Sequence, residues 1–308
     1  MIETVASIAN PRERLRTAGL YLACVLIWGS TWMVITFQLG RVPPAVSVAY
    51  RFALAALLLL AYCSVRGLPM RFSLRDHRWL ALQGLLLFGT NYVLVYLSET
   101  HISSGLTAVI FSSVAFWNIL GMRCFYATPM RPAALLGAVL GVLGVAAVFL
   151  PELTIFSARG SGLLGFGYGL AATVSASLGN ITAARNHRHG LPVVQQNAYG
   201  MLYGTLLVTL FAWLTRQAFV YESTASYTFS LLYLALFGSV LAFGAYLTLL
   251  GRIGAERAGY ITVAIPIVAV LFSTLFEGFR WHPATVLGIV LCVLGNLLVL
   301  SKTRSRQP

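Results

Sequence analysis

The residues able to do chemistry in this chain are rings, hydroxyls and amides set in the middle of apolar runs. Trp28-Gly29-Ser30-Thr31-Trp32 is the first such group. Gly89-Thr90-Asn91-Tyr92 follows, with Tyr96 one turn on, and then Ser112-Ser113 with Trp117 and Asn118 a turn later. Further along come Tyr168, Thr173, Ser175, Ser177 and Asn180, then Gly238-Ser239 with Phe243 and Tyr246, and last Thr262 and Pro266. A hydroxyl or amide facing hydrocarbon costs desolvation, so such groups turn toward one another or a wet cavity. Their chemistry is recognition rather than bond making. Aromatic faces, hydroxyls and amides suit a neutral or zwitterionic amphipathic solute, its charged ends held by side-chain and helix-terminus dipoles. The candidate binding set is Trp28, Thr31, Asn91, Tyr92, Tyr96, Ser112, Ser113, Trp117, Asn118, Tyr168, Ser175, Ser239, Phe243, Tyr246 and Pro266.

Enzyme signatures do not survive inspection. Gly165-Phe166-Gly167-Tyr168-Gly169 resembles a glycine-rich phosphate loop, but no strand precedes it and no lysine follows, so helix packing explains the small residues better. His187-Arg188-His189 lies in a short basic loop and reads as a topology signal. Asn180-Ile181-Thr182 matches a glycosylation sequon inside an apolar run and is discounted. GxSxG, HExxH and CxxC are missing from the sequence. No cofactor and no metal are expected. Glu99, His101, Glu277 and His282 fall near the ends of runs, leaving the expected midplane without an ionisable group. Arg51 is read as structural, snorkelling outward or pairing with Glu99 or Glu277. Tyr21, Tyr62, Trp79, Trp213 and Trp281, at run ends, read as interface anchors.

The elements carrying these residues follow from composition. Of 308 residues 58% are hydrophobic and 9% charged, against roughly 25% charged in a soluble domain. Ten apolar runs, at about 19–39, 43–65, 79–98, 103–124, 132–150, 162–184, 192–214, 229–250, 257–276 and 283–301, have the length a helix needs to cross a bilayer. The net charge of +13 is segregated. With the N-terminus inside, sixteen Lys and Arg fall on inner segments and only Arg41, Arg51, Arg159, Arg216 and Arg280 on outer ones. That bias places both termini in the cytoplasm and makes nucleic acid an unneeded partner. Cys24, Cys63, Cys124 and Cys292 show no paired spacing and read as packed thiols.

One stretch occurs twice. PAALLGAVLGVLG begins at Pro132 and PATVLGIVLCVLG at Pro283, with nine of thirteen positions identical, including the proline and the glycine pairs Gly137/Gly288 and Gly144/Gly295. This is an internal duplication. Five spans per copy is odd, so the second copy enters the membrane from the other side, the inverted-repeat plan of many secondary transporters. The fold class is therefore all-α polytopic membrane protein, ten transmembrane helices in two inverted five-helix repeats. The expected divisions are a cytoplasmic segment 1–18, repeats 19–151 and 162–301, and a cytoplasmic tail 302–308. Spans 1, 3, 4, 6, 8 and 9 would line a central pathway, with 5 and 10 as scaffold. Gly137 and Gly141 form a G-x-x-x-G close-approach motif whose partner, another span or a second subunit, stays open. Pro266 and Ser112-Ser113 mark weakened helix at matching depths, which fits either a binding site or a packing kink.

The chain resembles the drug/metabolite transporter superfamily, in its ten-span EamA-type group. The residues carrying the resemblance are Trp28-Gly29-Ser30-Thr31, Arg51-Phe52, Ser103-Ser104-Gly105-Leu106 and the glycine-spaced runs around Gly137 and Gly288, over about 19–301. Span 4 departs from the family pattern in lacking a central proline. The resemblance implies a bacterial inner-membrane exporter of amino acids, aromatic and other neutral ones, or similar metabolites, working by alternating access. Its partners would be the small-molecule substrate and the lipid bilayer, with monomer or homodimer undecided. The alternatives are a broad exporter of amphipathic drugs and, in a different class, a non-transporting scaffold or membrane enzyme.

Overall fold

The computed structural model describes residues 11–127, 129, 132–156, 161–259 and 261–300. Among these the chain is helical, with no strand. The first ten residues and the 302–308 tail, expected at the cytoplasmic face, lie outside the described residues.

The helices are α1 (Pro11–Thr36), α2 (Pro44–Val65), α3 (Leu74–Gln83), α4 (Asn91–Glu99), α5 (Ser104–Phe111), α6 (Val114–Tyr126), α7 (Pro132–Phe156) and α8 (Ser161–Arg188). They continue as α9 (Val193–Leu214), α10 (Ala225–Tyr233), α11 (Ala242–Gly259), α12 (Ile261–Phe276) and α13 (Pro283–Leu300). Among the described residues seven rods are long and apolar enough to cross a membrane, and three shorter apolar helices join them. Starts are written in the sequence. Ser73 and Asp76 form a reciprocal capping box at α3, and Ser103 and Thr224 cap α5 and α10. Pro44 supplies a preset φ at a position whose N–H has no helical acceptor. At the other ends Gly67 and Gly190 take φ of +60° and +82°, where a side chain would strain the turn.

Two rods change their winding midway. Gly84–Thr90, between α3 and α4, and Leu234–Leu241, between α10 and α11, are π-helical. Both hold the same run, Leu85-Leu86-Leu87-Phe88-Gly89-Thr90 and Leu234-Ala235-Leu236-Phe237-Gly238-Ser239. A third rod is broken outright: α5 ends and α6 begins around Ser112 and Ser113, whose hydroxyls donate to Val109 O (2.6 Å) and Ile110 O (2.8 Å). The sequence expected a weakness there. Its expected match at Pro266 differs, since α12 runs through Pro266 unbroken.

The duplicated helices α7 and α13 are each other's neighbours. A Cβ on Gly137 would lie 2.5 Å from Gly295 O, and one on Gly144 would lie 2.7 Å from Gly288 O. The lower-numbered glycine of one helix meets the higher-numbered glycine of the other, so the two run antiparallel. Exchanging Gly137 with Gly288 and Gly144 with Gly295 maps the pair of contacts onto itself, as a local two-fold requires. The partner of the G-x-x-x-G motif is thus the second copy of the duplicated run within the chain, in which Cys292 stands at the position of Gly141. The wider packing obeys the same exchange: α1 lies against α11 and α12, and its counterpart α8 against α4, α5 and α6.

Leucines and valines cover the outside. Leu22, Leu57, Leu135, Leu143, Leu206, Leu275 and Leu287 are each more than half exposed. Such a coat is stable against lipid and costly in water. Cys24, Cys63 and Cys292 are buried free thiols, whereas Cys124 is exposed, unlike the packed thiol expected there.

Candidate functional site

Between α1, the Gly84–Thr90 turn, α4, α5, α8, α11 and α12 lies a cavity of about 250 Å³. Trp28, Thr31, Trp32, Phe88, Tyr92, Phe111 and Phe243 give it aromatic and hydroxyl walls, and Asn91, Ser112, Asn180 and Thr262 add polar groups. Ile35, Leu87, Val95, Ala108, Val114, Ala176, Ile265 and Pro266 complete the lining. Such a mostly apolar chamber with few polar groups is the usual form of a small-molecule site.

The irregular turns set this wall. A π turn fits more than the usual number of residues and frees carbonyls that an α-helix would use. Gly238 O accepts from Trp28 Nε1 (3.1 Å), which fixes the indole between Phe243 (5.3 Å) and Tyr246 (5.5 Å). Gly238 has no side chain because Thr31 Cγ2 would meet its Cβ at 2.8 Å. In the first π turn, Leu86 O accepts from Ser175 Oγ (2.8 Å), tying α8 to it. Asn91 Nδ2 donates to Leu87 O (3.1 Å), and its Oδ1, buried, has no partner. That acceptor belongs to a cavity-lining side chain but is itself buried.

A second polar group sits deeper toward the end of the bundle that carries Glu277. Arg51 is 1% exposed. Its Nε donates to Ser239 Oγ (3.4 Å), its guanidinium lies 4.6 Å from the Tyr92 ring centre and 5.2 Å from that of Phe52, and Nη1 has no partner. Tyr96 donates to Gln38 Oε1 (2.7 Å), leaving Gln38 Nε2 without an acceptor. Glu99 is buried with both carboxylate oxygens unpartnered, and Arg51 and Glu277 are the charges that act on it. Glu277 itself is occupied: it accepts from Ser104 N (3.0 Å), from the Ser104 hydroxyl and from Ser273 Oγ (2.9 Å).

The fifteen-residue expectation divides at the cavity wall. Trp28, Thr31, Asn91, Tyr92, Ser112, Phe243 and Pro266 line it. Tyr96 does not, being fully buried against Gln38. Ser113 turns back to its own helix, and Ser175 is spent on Leu86 O. Ser239 bonds Leu234 O (3.0 Å) and receives Arg51. Trp117 packs on Phe116, Tyr168 on His101, and Tyr246 backs Trp28 from outside the wall. Asn118 accepts from Asn180 Nδ2 (3.5 Å), so it reaches the cavity through a lining neighbour.

Arg51 corrects the reading most. It neither snorkels nor forms an ion pair with Glu99 or Glu277, and it stacks on a cavity ring. It adds a buried charge to the bundle interior, beside a site expected to be made of neutral groups. Its position on the second of ten apolar runs gave it the look of an end-of-span residue. The repeated Leu-Phe-Gly-Thr/Ser run was the overlooked signal for the π turns that receive it.

The described arrangement can be set against known proteins. The EamA-like transporter family model matches residues 15–150 and again 163–301. The Uncharacterized inner membrane transporter YedA of Escherichia coli is 28% identical over 304 residues, covering 94% of this chain and 95% of that protein. Protein PagO of Salmonella typhimurium is 22% identical, with 91% of each chain covered. The Probable amino-acid metabolite efflux pump of Escherichia coli is 23% identical, with 94% and 96% covered. A solved crystal structure superposes with a TM-score of 0.64 over 92% of this chain and 95% of the other at 17% identity, which supports the fold alone. With two family matches that together take in nearly all of it, a coat of exposed leucines and a cavity between its helices, the chain is a multi-pass membrane protein of the EamA-like transporter family.

Proposed function

We propose that the protein exports amino acids, aromatic and other neutral ones, and similar small metabolites across the bacterial inner membrane by alternating access through the central cavity. The observation that carries this reading is the chamber itself. Its walls join aromatic rings and aliphatic side chains to a few hydroxyls and amides, those of Thr31, Asn91, Ser112, Asn180 and Thr262. The name of the amino-acid metabolite efflux relative supports the substrate class.

In this reading the seven long rods and three shorter apolar helices are ten spans in two inverted five-helix repeats, 19–151 and 162–301, with both termini cytoplasmic. The antiparallel crossing of α7 and α13 supports the inversion. Segregation of arginine supports the orientation, which makes the end with Glu99 and Glu277 the outer one. Rocking would occur around the broken α5–α6 rod and the two π turns, where backbone hydrogen bonding is already irregular.

The test is efflux of labelled phenylalanine from liposomes holding the purified protein, with and without a pH gradient. Release suppressed by excess unlabelled amino acid is expected. No release for any neutral amino acid, from correctly folded protein, would sink the substrate class.

A further inference from the structure

Arg51, Glu99 and Gln38 are buried side chains that end in polar atoms bonded to nothing: Arg51 Nη1, both Glu99 oxygens and Gln38 Nε2. A charge taken out of water is costly unless paired, and more so in a bilayer. The protein has the means to pair these and does not. Arg51 and Glu99 form no ion pair with each other, and Glu277 is already held by Ser104 and Ser273. The open atoms are also of two kinds. Arg51 and Gln38 offer donors, and Glu99 offers acceptors only.

These groups adjoin the cavity, one turn beyond its lining and closed off from it in this conformation. Tyr92 and Val95 line it, and Tyr96 and Glu99 lie one turn further on the same helix. Ile35 lines it, three residues before Gln38. Tyr96 bonds Gln38 and lies within reach of Arg51, and the Arg51 charge acts on Glu99. The Tyr92 ring covers one face of the guanidinium, and Ser239 holds its Nε, which leaves the Nη1 edge for another partner.

We propose that this cluster is a head-group site for an α-amino acid, its carboxylate taken by Arg51 Nη1 and Gln38 Nε2 and its ammonium by Glu99. The side chain then lies in the aromatic chamber beyond Tyr92. The proposal rests on the amino-acid reading above and names the atoms that distinguish an amino acid from its decarboxylated or deaminated analogue.

The experiment is the change in tryptophan fluorescence of the full-length protein, two of whose six tryptophans, Trp28 and Trp32, line the chamber, on adding three probes: L-phenylalanine, phenethylamine and 3-phenylpropionate. The protein should bind phenylalanine about tenfold or more tighter than either analogue, because a buried group built for a charged partner rejects a ligand lacking it. Arg51→Gln should lose the preference over phenethylamine and keep that over 3-phenylpropionate; Glu99→Gln should do the reverse. Equal binding of all three probes by the unmodified protein overturns the proposal, leaving Arg51 and Glu99 as a water-bridged pair. So does an unchanged preference in folded Arg51→Gln, or failure to bind phenylalanine at all. Where Arg51→Gln does not fold, Arg51→Lys replaces it, keeping the charge and losing the planar fork; it should narrow the same preference. Liposome efflux is read separately. Phenylalanine efflux without head-group selectivity sinks this site and leaves the transport reading, and selectivity without efflux does the opposite.

Discussion

Substituting alanine at Gly137 or at Gly141 makes the same chemical change, one turn apart on α7, with opposite expected results. At Gly137 the new methyl would stand 2.5 Å from Gly295 O, 3.0 Å from Leu298 Cβ and 3.0 Å from Val299 N. Two of those three atoms are backbone, so no side-chain rotation relieves the clash and the helices must separate. Overpacking of this kind costs about 3 kcal/mol at its upper range. The higher helix propensity of alanine returns about 1 kcal/mol. The net loss is about 2 kcal/mol, a shift of roughly 30-fold in an unfolding equilibrium. At Gly141 a Cβ meets nothing within 4 Å, so only the propensity gain of about 1 kcal/mol remains. Reversible unfolding in detergent, or thermal midpoints on matched samples, reads the difference directly. Gly295→Ala should resemble Gly137→Ala, and the double variant should cost clearly less than the sum, because one separation accommodates both methyls. Equal effects at 137 and 141 would refute the crossing described for α7 and α13.

Other perturbations reach the chamber. Trp28→Phe keeps the ring and removes the N–H to Gly238 O, and should cost about 1–2 kcal/mol by leaving that carbonyl unsatisfied; thermal unfolding measures it. Asn91→Ala removes the unpaired acceptor and should raise the KM for amino-acid efflux about tenfold. Glu277→Gln keeps the shape and loses the charge that draws in Ser104 and Ser273. Backbone amide exchange at the start of α5 should rise with it, reflecting about 1 kcal/mol of lost protection.

Sequence reading was reliable where the signal is a sum over many residues and unreliable where it is the geometry of a few. The all-helical class and the apolar helices follow from apolar runs about 20 residues long, and the Pro132/Pro283 duplication pointed to two helices that the fold then pairs. Ser112-Ser113 was legible as a weak point because two consecutive hydroxyls compete for helix carbonyls. Side-chain facing was less legible. Polar groups at mid-span turn inward, yet inward includes both the chamber and the contacts between helices, and Ser175 and Ser239 went to the second. Arg51 was misread because its distance along α2 says nothing about the tyrosine and the π turn that two other rods bring to it. Trp32, Phe88 and Phe111 line the chamber without belonging to the expected set, since a ring within an apolar run looks the same whether it packs or faces space.

The π turns also bear on tolerance to insertions and deletions. Each carries about one residue more than an α turn and takes it up in a widened turn, without turning the helix beyond it. Removing one residue between Leu85 and Thr90 would let that turn rewind as α-helix with everything after it still in phase. The same deletion in the α-helical stretch Leu74–Gln83 would turn everything after it by about 100°. Asn91, Tyr92 and Val95 would then leave the chamber together, with Tyr96 and Glu99. A deletion scan would therefore find a narrow tolerant window within the third span and a matching one at Leu234–Leu241, each defined by angular phase rather than by any side chain it removes.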